Sequence, residues 1–217
     1  MRVVVPAESK TGEKRVALLP DIISKLTKAG ISVSIESRAG IHAGASDESY
    51  IEQGATIFSA SDQRKELAGA DVILTVQPLS PDQASSLKSG AITISFLSSV
   101  SAKESIDALA KSGATAFSLE ALPRISRAQS MDALTSQALC AGYKAALVAA
   151  ELSPRFFPLL MTAAGTVTPA NVLVLGAGVA GLQAIATSRR LGAVSLPMMF
   201  AHHLLMKLNR WALLLLI

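Results

Sequence analysis

Apolar residues along the first 120 positions switch repeatedly between two spacings. Val3–Val5 is a short continuous run, and in Ile31–Ile35 the apolar residues fall at alternate positions, so both predict strands. Between them Ile22, Ile23, Leu26 and Ala29 recur at helical spacing and predict a helix over Pro20–Ala29. The rhythm continues with helical segments near Asp47–Gln53 and Asp62–Leu67, a strand at Val72–Val76, and a helix near Pro81–Leu87. A strand at Ile92–Phe96, a helix near Ala102–Lys111 and a strand at Ala114–Phe117 follow. Apolar strands alternating with amphipathic helices predict an α/β fold whose parallel sheet is covered on both faces.

Thr135–Leu152 then reads as one alanine-rich helix, which Ser153-Pro154 ends. Residues 155–169 read as a loop with helical fragments. A strand opening at Asn171 runs into Gly176-Ala-Gly178-Val-Ala-Gly181, and a helix-like run ends at Gly192. In a dinucleotide-binding βαβ unit the first glycine permits the tight turn, the second admits a pyrophosphate, and the third lets helix and strand pack closely. Free N–H groups at the start of the helix, over residues 178–182, suit an anion. The plainer alternative is a tight turn that holds no ligand. The chain therefore divides into a companion α/β domain at 1–135, a bridging helix at 136–153, and the start of a Rossmann domain at 154–194. An atypical tail occupies 195–217, leaving the doubly wound second domain incomplete.

Composition narrows the function classes. Half of the 217 residues are apolar and 17% are charged, which describes a globular chain. The net charge is +4, of which the last 23 residues contribute Lys207 and Arg210 with no acid. The remaining charge is spread without a cluster and aromatic residues are few, so no nucleic-acid partner is expected. Cys140 stands alone, which excludes an internal disulfide and a cysteine-built metal site; its apolar surroundings predict a buried residue. His42, His202 and His203 form no metal-ligand spacing. Val3–Val5 follows Met1 at once, and no apolar run approaches the roughly 20 residues of a membrane helix. A cytoplasmic location without a direct membrane span is the expectation.

Two further segments carry candidate chemistry. Leu122–Gln137, LPRISRAQSMDALTSQ, packs Arg124, Arg127, Gln129 and Asp132 among hydroxyls just before the long helix. The arginines suit an anion or an ion pair with Asp132, and Gln129 suits a carboxamide; a polar loop with a helix cap at Asp132 is an equal reading. Glu8–Pro20, ESKTGEKRVALLP, lies at the carboxyl end of the first strand, where open α/β sheets place ligands. By itself it reads best as a solvated loop that caps the next helix. Neither a nucleophile elbow nor a Walker loop is present.

Together the opening P-x-E-x-K-x-x-E-x-R-V-A-L-L-P, the PRISRAQSMDALTSQ loop and the VLVLGAGVAGLQAIATSRRLGA turn resemble one family. It is the NAD(H)-binding domain of the alpha subunit of proton-translocating nicotinamide nucleotide transhydrogenase, and the resemblance covers residues 1–194. It implies an oxidoreductase that binds NAD(H) and passes hydride to NADP(H) on a partner domain while a membrane subunit couples transfer to proton movement. The implied partners are the membrane and NADP-binding subunits and, if the chain is intact, a second copy, with the protein peripheral to the membrane. The resemblance puts Arg124, Ile125, Ser126, Arg127, Gln129 and Asp132 on the loop that reaches the nicotinamide, with Gln129 and Asp132 as the catalytic residues. Thr135 stands where the family pattern has serine, and its hydroxyl serves equally. Gly176, Gly178, Val179, Ala180 and Gly181 fall on the pyrophosphate turn.

Alanine dehydrogenase, which shares the opening and the glycine turn, is the rival. Arg15 matches its substrate arginine, but VILTVQP offers Gln77 and no lysine, and Ser95–Val100 contains no histidine. Without an acid–base pair an amino acid is not oxidised. An inactive NAD-binding remnant is a further alternative, because a βαβ unit needs a second strand ending in an acid. After Val194 the chain reads SLPMMFAHHLLMKLNRWALLLLI instead. Met198-Met199 is necessarily encoded ATGATG, and with the frame set one base earlier it contains GAT, aspartate, at the expected distance. The favoured reading is a frameshift near residue 195; the other is a genuine variant ending in a helical hairpin or partner-binding segment.

Overall fold

The structure is a computed structural model that describes residues 1–98, 100–198 and 213–216. Two compact units divide at Met131 and Asp132.

The first unit is built on β1 (Arg2–Val5), β2 (Ser32–Glu36), β3 (Thr56–Phe58), β4 (Val72–Leu74), β5 (Ile92–Ser95) and β6 (Thr115–Ser118). Helices α1 (Pro20–Lys28), α2 (Asp47–Glu52), α3 (Gln63–Gly69), α4 (Pro81–Ser85) and α5 (Lys103–Ser112) alternate with them. All six strands are parallel in the order β3-β2-β1-β4-β5-β6, with Val3 opposite both Val33 and Val72. Period-2 geometry sends Val4 to one face, among Leu67, Ile73, Leu79 and Leu109. Val3 and Val5 go to the other, among Ile23, Ile35 and Tyr50. A strand buried on both faces explains why Val3–Val5 is continuous rather than alternating. Tyr50 is fully buried, and its hydroxyl donates to the Leu18 carbonyl at 2.8 Å. The strand β3 lies between two predicted helices and went unforeseen; three residues are too few to show a period.

The second unit opens with α6 (Ala133–Leu152). Residues 155–169 depart from the expected loop with helical fragments. They contain a hairpin, β7 (Leu160–Thr162) against β8 (Gly165–Val167), paired Leu160 to Val167. The turn Thr162-Ala-Ala-Gly165 supplies its bend, with Gly165 at φ +143°. Beyond it lie β9 (Asn171–Leu175), α7 (Val179–Arg190) and β10 (Val194–Met198). The strand β10 runs parallel to β9 from Val194 opposite Asn171 to Met198 opposite Leu175. The βαβ pattern therefore continues past Val194, against the expectation that it breaks there. Among the described residues β10 is paired on one side only, by β9, and such an edge position admits Pro197. On the other side of β9 lies β11 (Leu213–Leu216), antiparallel, where a helical tail is the alternative expected from sequence. Residues 199–212 and 217 lie outside the described residues, and with them His202, His203, Met199 and most of the atypical tail. The unit's core joins Val172 and Val174 of β9 to Ala184 and Ile185 of α7, Ala149 of α6 and Phe157. Among the described residues no helix is long and apolar enough to cross a membrane.

Candidate functional site

Gly176 has φ +100°, a left-handed conformation that a side chain resists, and it turns the chain sharply off β9. Gly178 is the N-cap of α7 in extended backbone, without a side-chain hydrogen bond to cap the helix. A Cβ on Gly178 would meet nothing within 4 Å. Protein packing therefore does not require glycine there. Gly181 is the opposite case, since its Cβ would lie 2.0 Å from the Gly176 carbonyl oxygen. The turn thus leaves an open cradle at the positive end of a helix, and that cradle fits an anionic phosphate linkage. Val179 is exposed, Ala180 half-buried and Gly181 buried, so the first turn of α7 is anchored on one side only.

Asp132 is the N-cap of α6. Its carboxylate accepts the Thr135 N–H at 2.9 Å and the Thr135 hydroxyl at 2.6 Å, while the Ser136 hydroxyl donates to its carbonyl at 3.2 Å. The capping reading of Asp132 is correct, and the bond to Thr135 also fixes the rotamer of that hydroxyl. Arg124, Ile125, Ser126, Arg127 and Gln129 belong to the first unit, in a short 3-10 stretch, Ser126–Met131, and its approach. All five are exposed, and Ala128, 5% exposed, is the anchor that holds the stretch down. Cys140 is exposed on α6, contrary to the expected burial; the side of α6 that is covered carries Gly142, Ala146 and Ala149. Alanine-rich helices give no clear hydrophobic period, so the sequence could not say which side that is.

The Glu8–Pro20 segment is not simply a solvated loop. Glu8 accepts the N–H groups of Val76 at 2.6 Å and Gln77 at 3.0 Å, just beyond β4. Burial pushes its carboxyl up from the ordinary value, against the pull of those two bonds. Arg15 forks onto Glu13, with Nε to Oε1 and Nη2 to Oε2 both at 2.7 Å, and Gln77 Nε2 donates to Glu13 Oε2 at 2.6 Å. The Arg15 bonds lead in bringing the Glu13 carboxyl down to about 2. The same device recurs along this edge of the sheet. Glu36, at the end of β2, accepts the Ala7 N–H at 2.9 Å and Gln63 Nε2 at 2.7 Å. Glu120 accepts the N–H groups of Leu97 at 3.1 Å and Ser98 at 2.6 Å beyond β5. At the crevice between β1 and β4, where the strand order reverses, Glu8 takes up two backbone N–H groups just beyond β4. Sequence spacing had no means of showing that, because each acid reaches a strand end distant in the chain.

Comparison with known proteins gives this geometry a context. Residues 4–141 match the N-terminal domain of the alanine dehydrogenase/PNT family and residues 145–205 its C-terminal domain. A protein of Rhodospirillum rubrum that forms one part of the alpha subunit of NAD(P) transhydrogenase is 46% identical over 199 residues, 89% of this chain and 51% of that protein. Alanine dehydrogenase of Mycobacterium tuberculosis is 33% identical over 196 residues, 89% of this chain and 52% of that one. The crystal structure of transhydrogenase from Sinorhizobium meliloti superposes with a TM-score of 0.86 at 43% identity, over 94% of this chain and 60% of that chain. The chain spans about half the length of the curated relatives it matches. On the two domain matches together, the chain belongs to the alanine dehydrogenase/PNT family.

Proposed function

We propose that this chain forms the NAD(H)-binding part of a proton-translocating NAD(P) transhydrogenase, working with partner subunits that hold NADP(H) and span the membrane. The observation that carries the reading is Gly178, a residue that packing leaves free to bear a side chain and that an approaching pyrophosphate does not. In this reading the N–H groups at the start of α7 receive the pyrophosphate. Arg124 and Arg127 bring positive charge, and Gln129 pairs with a carboxamide through one donor and one acceptor. Asp132 and Thr135 act as a hydrogen-bonded pair in which the carboxylate orients the hydroxyl. Bound NADH supplies the hydride; the part of Gln129 and Asp132 is to orient the ring that gives it. Ile125 and Ser126 complete the loop, and a second copy of the chain is the expected partner.

Alanine oxidation fits less well. It needs a free arginine and a group that moves a proton, whereas Arg15 is taken up by Glu13 and Gln77 carries no titratable proton. A titration with NADH followed by nicotinamide fluorescence tests the proposal: saturation in the micromolar range is expected, and no change in emission up to millimolar NADH overturns it. NADH production that depends on alanine would instead establish the dehydrogenase reading.

A further inference from the structure

Gly142 stands in the middle of α6, among residues that otherwise favour helix. Glycine is the weakest helix former apart from proline, so its presence there has no local cause. The cause lies across the helix pair. A Cβ at Gly142 would sit 2.1 Å from the Ala180 carbonyl oxygen, 2.8 Å from its carbonyl carbon and 2.9 Å from its Cα. All three are backbone atoms, so no change of rotamer relieves the overlap. Ala180 lies in the first turn of α7, and its neighbour Gly181 accommodates the Gly176 carbonyl in the same way. Two successive residues at the start of α7 are thus held from two sides, by the glycine turn and by α6.

The geometry points to Gly142 as a positioning residue for the dinucleotide, an inference that rests on reading the glycine turn as the NAD(H) site. Its missing side chain sets how deeply the first turn of α7 seats against α6, and therefore where the N–H groups over residues 178–181 are aimed. The same contact fixes a second distance. Thr135 lies seven residues before Gly142 on one continuous helix, about 10 Å along its axis. The Asp132–Thr135 pair and the pyrophosphate turn are consequently two ends of one rigid assembly within the second unit. Relieving the overlap of an added Cβ requires a shift of about 1 Å, which takes an N–H donor out of its hydrogen-bonding range. Misplacement on that scale costs up to about a hundredfold in function.

The test compares the full chain with Gly142→Ala and with Lys144→Gly, titrating each with NADH and melting each. Lys144 is exposed on the same helix, so its glycine variant weakens α6 without touching α7. Gly142→Ala is expected to melt earlier, because of its overlap with backbone, and to bind NADH at least tenfold more weakly, whereas Lys144→Gly, which also melts earlier, keeps the original affinity. A purely structural role would make affinity follow melting temperature across the set. Equal affinity in Gly142→Ala and the unaltered chain, or an equal loss in Lys144→Gly, overturns the inference and leaves the NAD(H) reading standing. Absence of binding by the unaltered chain defeats the NAD(H) reading, and the inference with it. Should Gly142→Ala not fold, amide NMR of the unaltered chain decides. NADH must then move the Gly142 signal together with those of Gly178 and Gly181 while leaving Lys144 in place, and a static Gly142 signal overturns the inference.

Discussion

At the scale of single residues, three glycines in six positions differ in what each is for. Gly178 faces open space, so Gly178→Ala is expected to fold with unchanged stability and to bind NADH at least tenfold more weakly. Gly181 faces a carbonyl at 2.0 Å from its hypothetical Cβ, so Gly181→Ala is expected to lose about 1–3 kcal/mol of stability as well as binding. Chemical denaturation alongside the NADH titration separates the two, and equal stability losses would contradict the assignment. Glu13 makes a second residue-level prediction. Its carboxyl is held at about 2 against an ordinary value of 4.5, chiefly by Arg15. A lowered folded value means that ionised Glu13 stabilises the fold above pH 4.5, and that this contribution disappears as pH falls toward 2. Glu13→Gln is therefore expected to destabilise the protein by about 2 kcal/mol at pH 7 and to have little effect at pH 2, read from denaturant midpoints across pH.

At the scale of elements, the start of α6 rests on one side chain. Asp132→Ala is expected to cost about 1 kcal/mol, and Asp132→Asn only a few tenths, because asparagine caps as well as aspartate does. A thermal melt of both variants checks this; equal losses would show that charge rather than capping matters at this position. The elements that could be read in advance were those with a period to read. The helix over Pro20–Lys28 shows one in Ile22, Ile23 and Leu26, and β9 with its glycine turn carries a motif that is local in sequence. The elements that escaped notice were short or were defined by distant partners. The strand β3 has three residues, and the β7–β8 hairpin, with Met161 73% exposed, buries too little to show alternation. The glycine turn was legible as a candidate site for the same reason that β9 was. The carboxylates at the strand ends were not, because Glu8 and Val76 are 68 residues apart. Gly142 escaped too: a glycine within an alanine run looks like any small residue until the helix beside it is in place.

At the scale of the whole molecule, the first unit has a sheet covered on both faces and two cores of its own, one around Val4 and Leu109, the other around Ile35 and Tyr50. Residues 1–131 expressed alone are therefore expected to unfold in one cooperative transition, followed by circular dichroism. A broad, non-cooperative melt would show that this unit needs the remainder of the chain. The second unit is less self-contained, since its sheet has three described strands and the hairpin strands carry exposed Leu160, Met161 and Val167. Edges left unpaired among the described residues are of the kind that pairs with other chains.

The strand order of the first unit, β3-β2-β1-β4-β5-β6, is the one that dinucleotide-binding domains use, yet its switch point holds Glu8 on two successive backbone N–H groups. Glu8 is tethered only three residues beyond β1. A tethered group competes at a local concentration on the order of millimolar or more, without paying the entropy of association. Any dissolved carboxylate that reaches these strand ends thus meets a resident competitor covalently attached to its receptor. At the switch point of the first unit the chain has thus already supplied the anion itself.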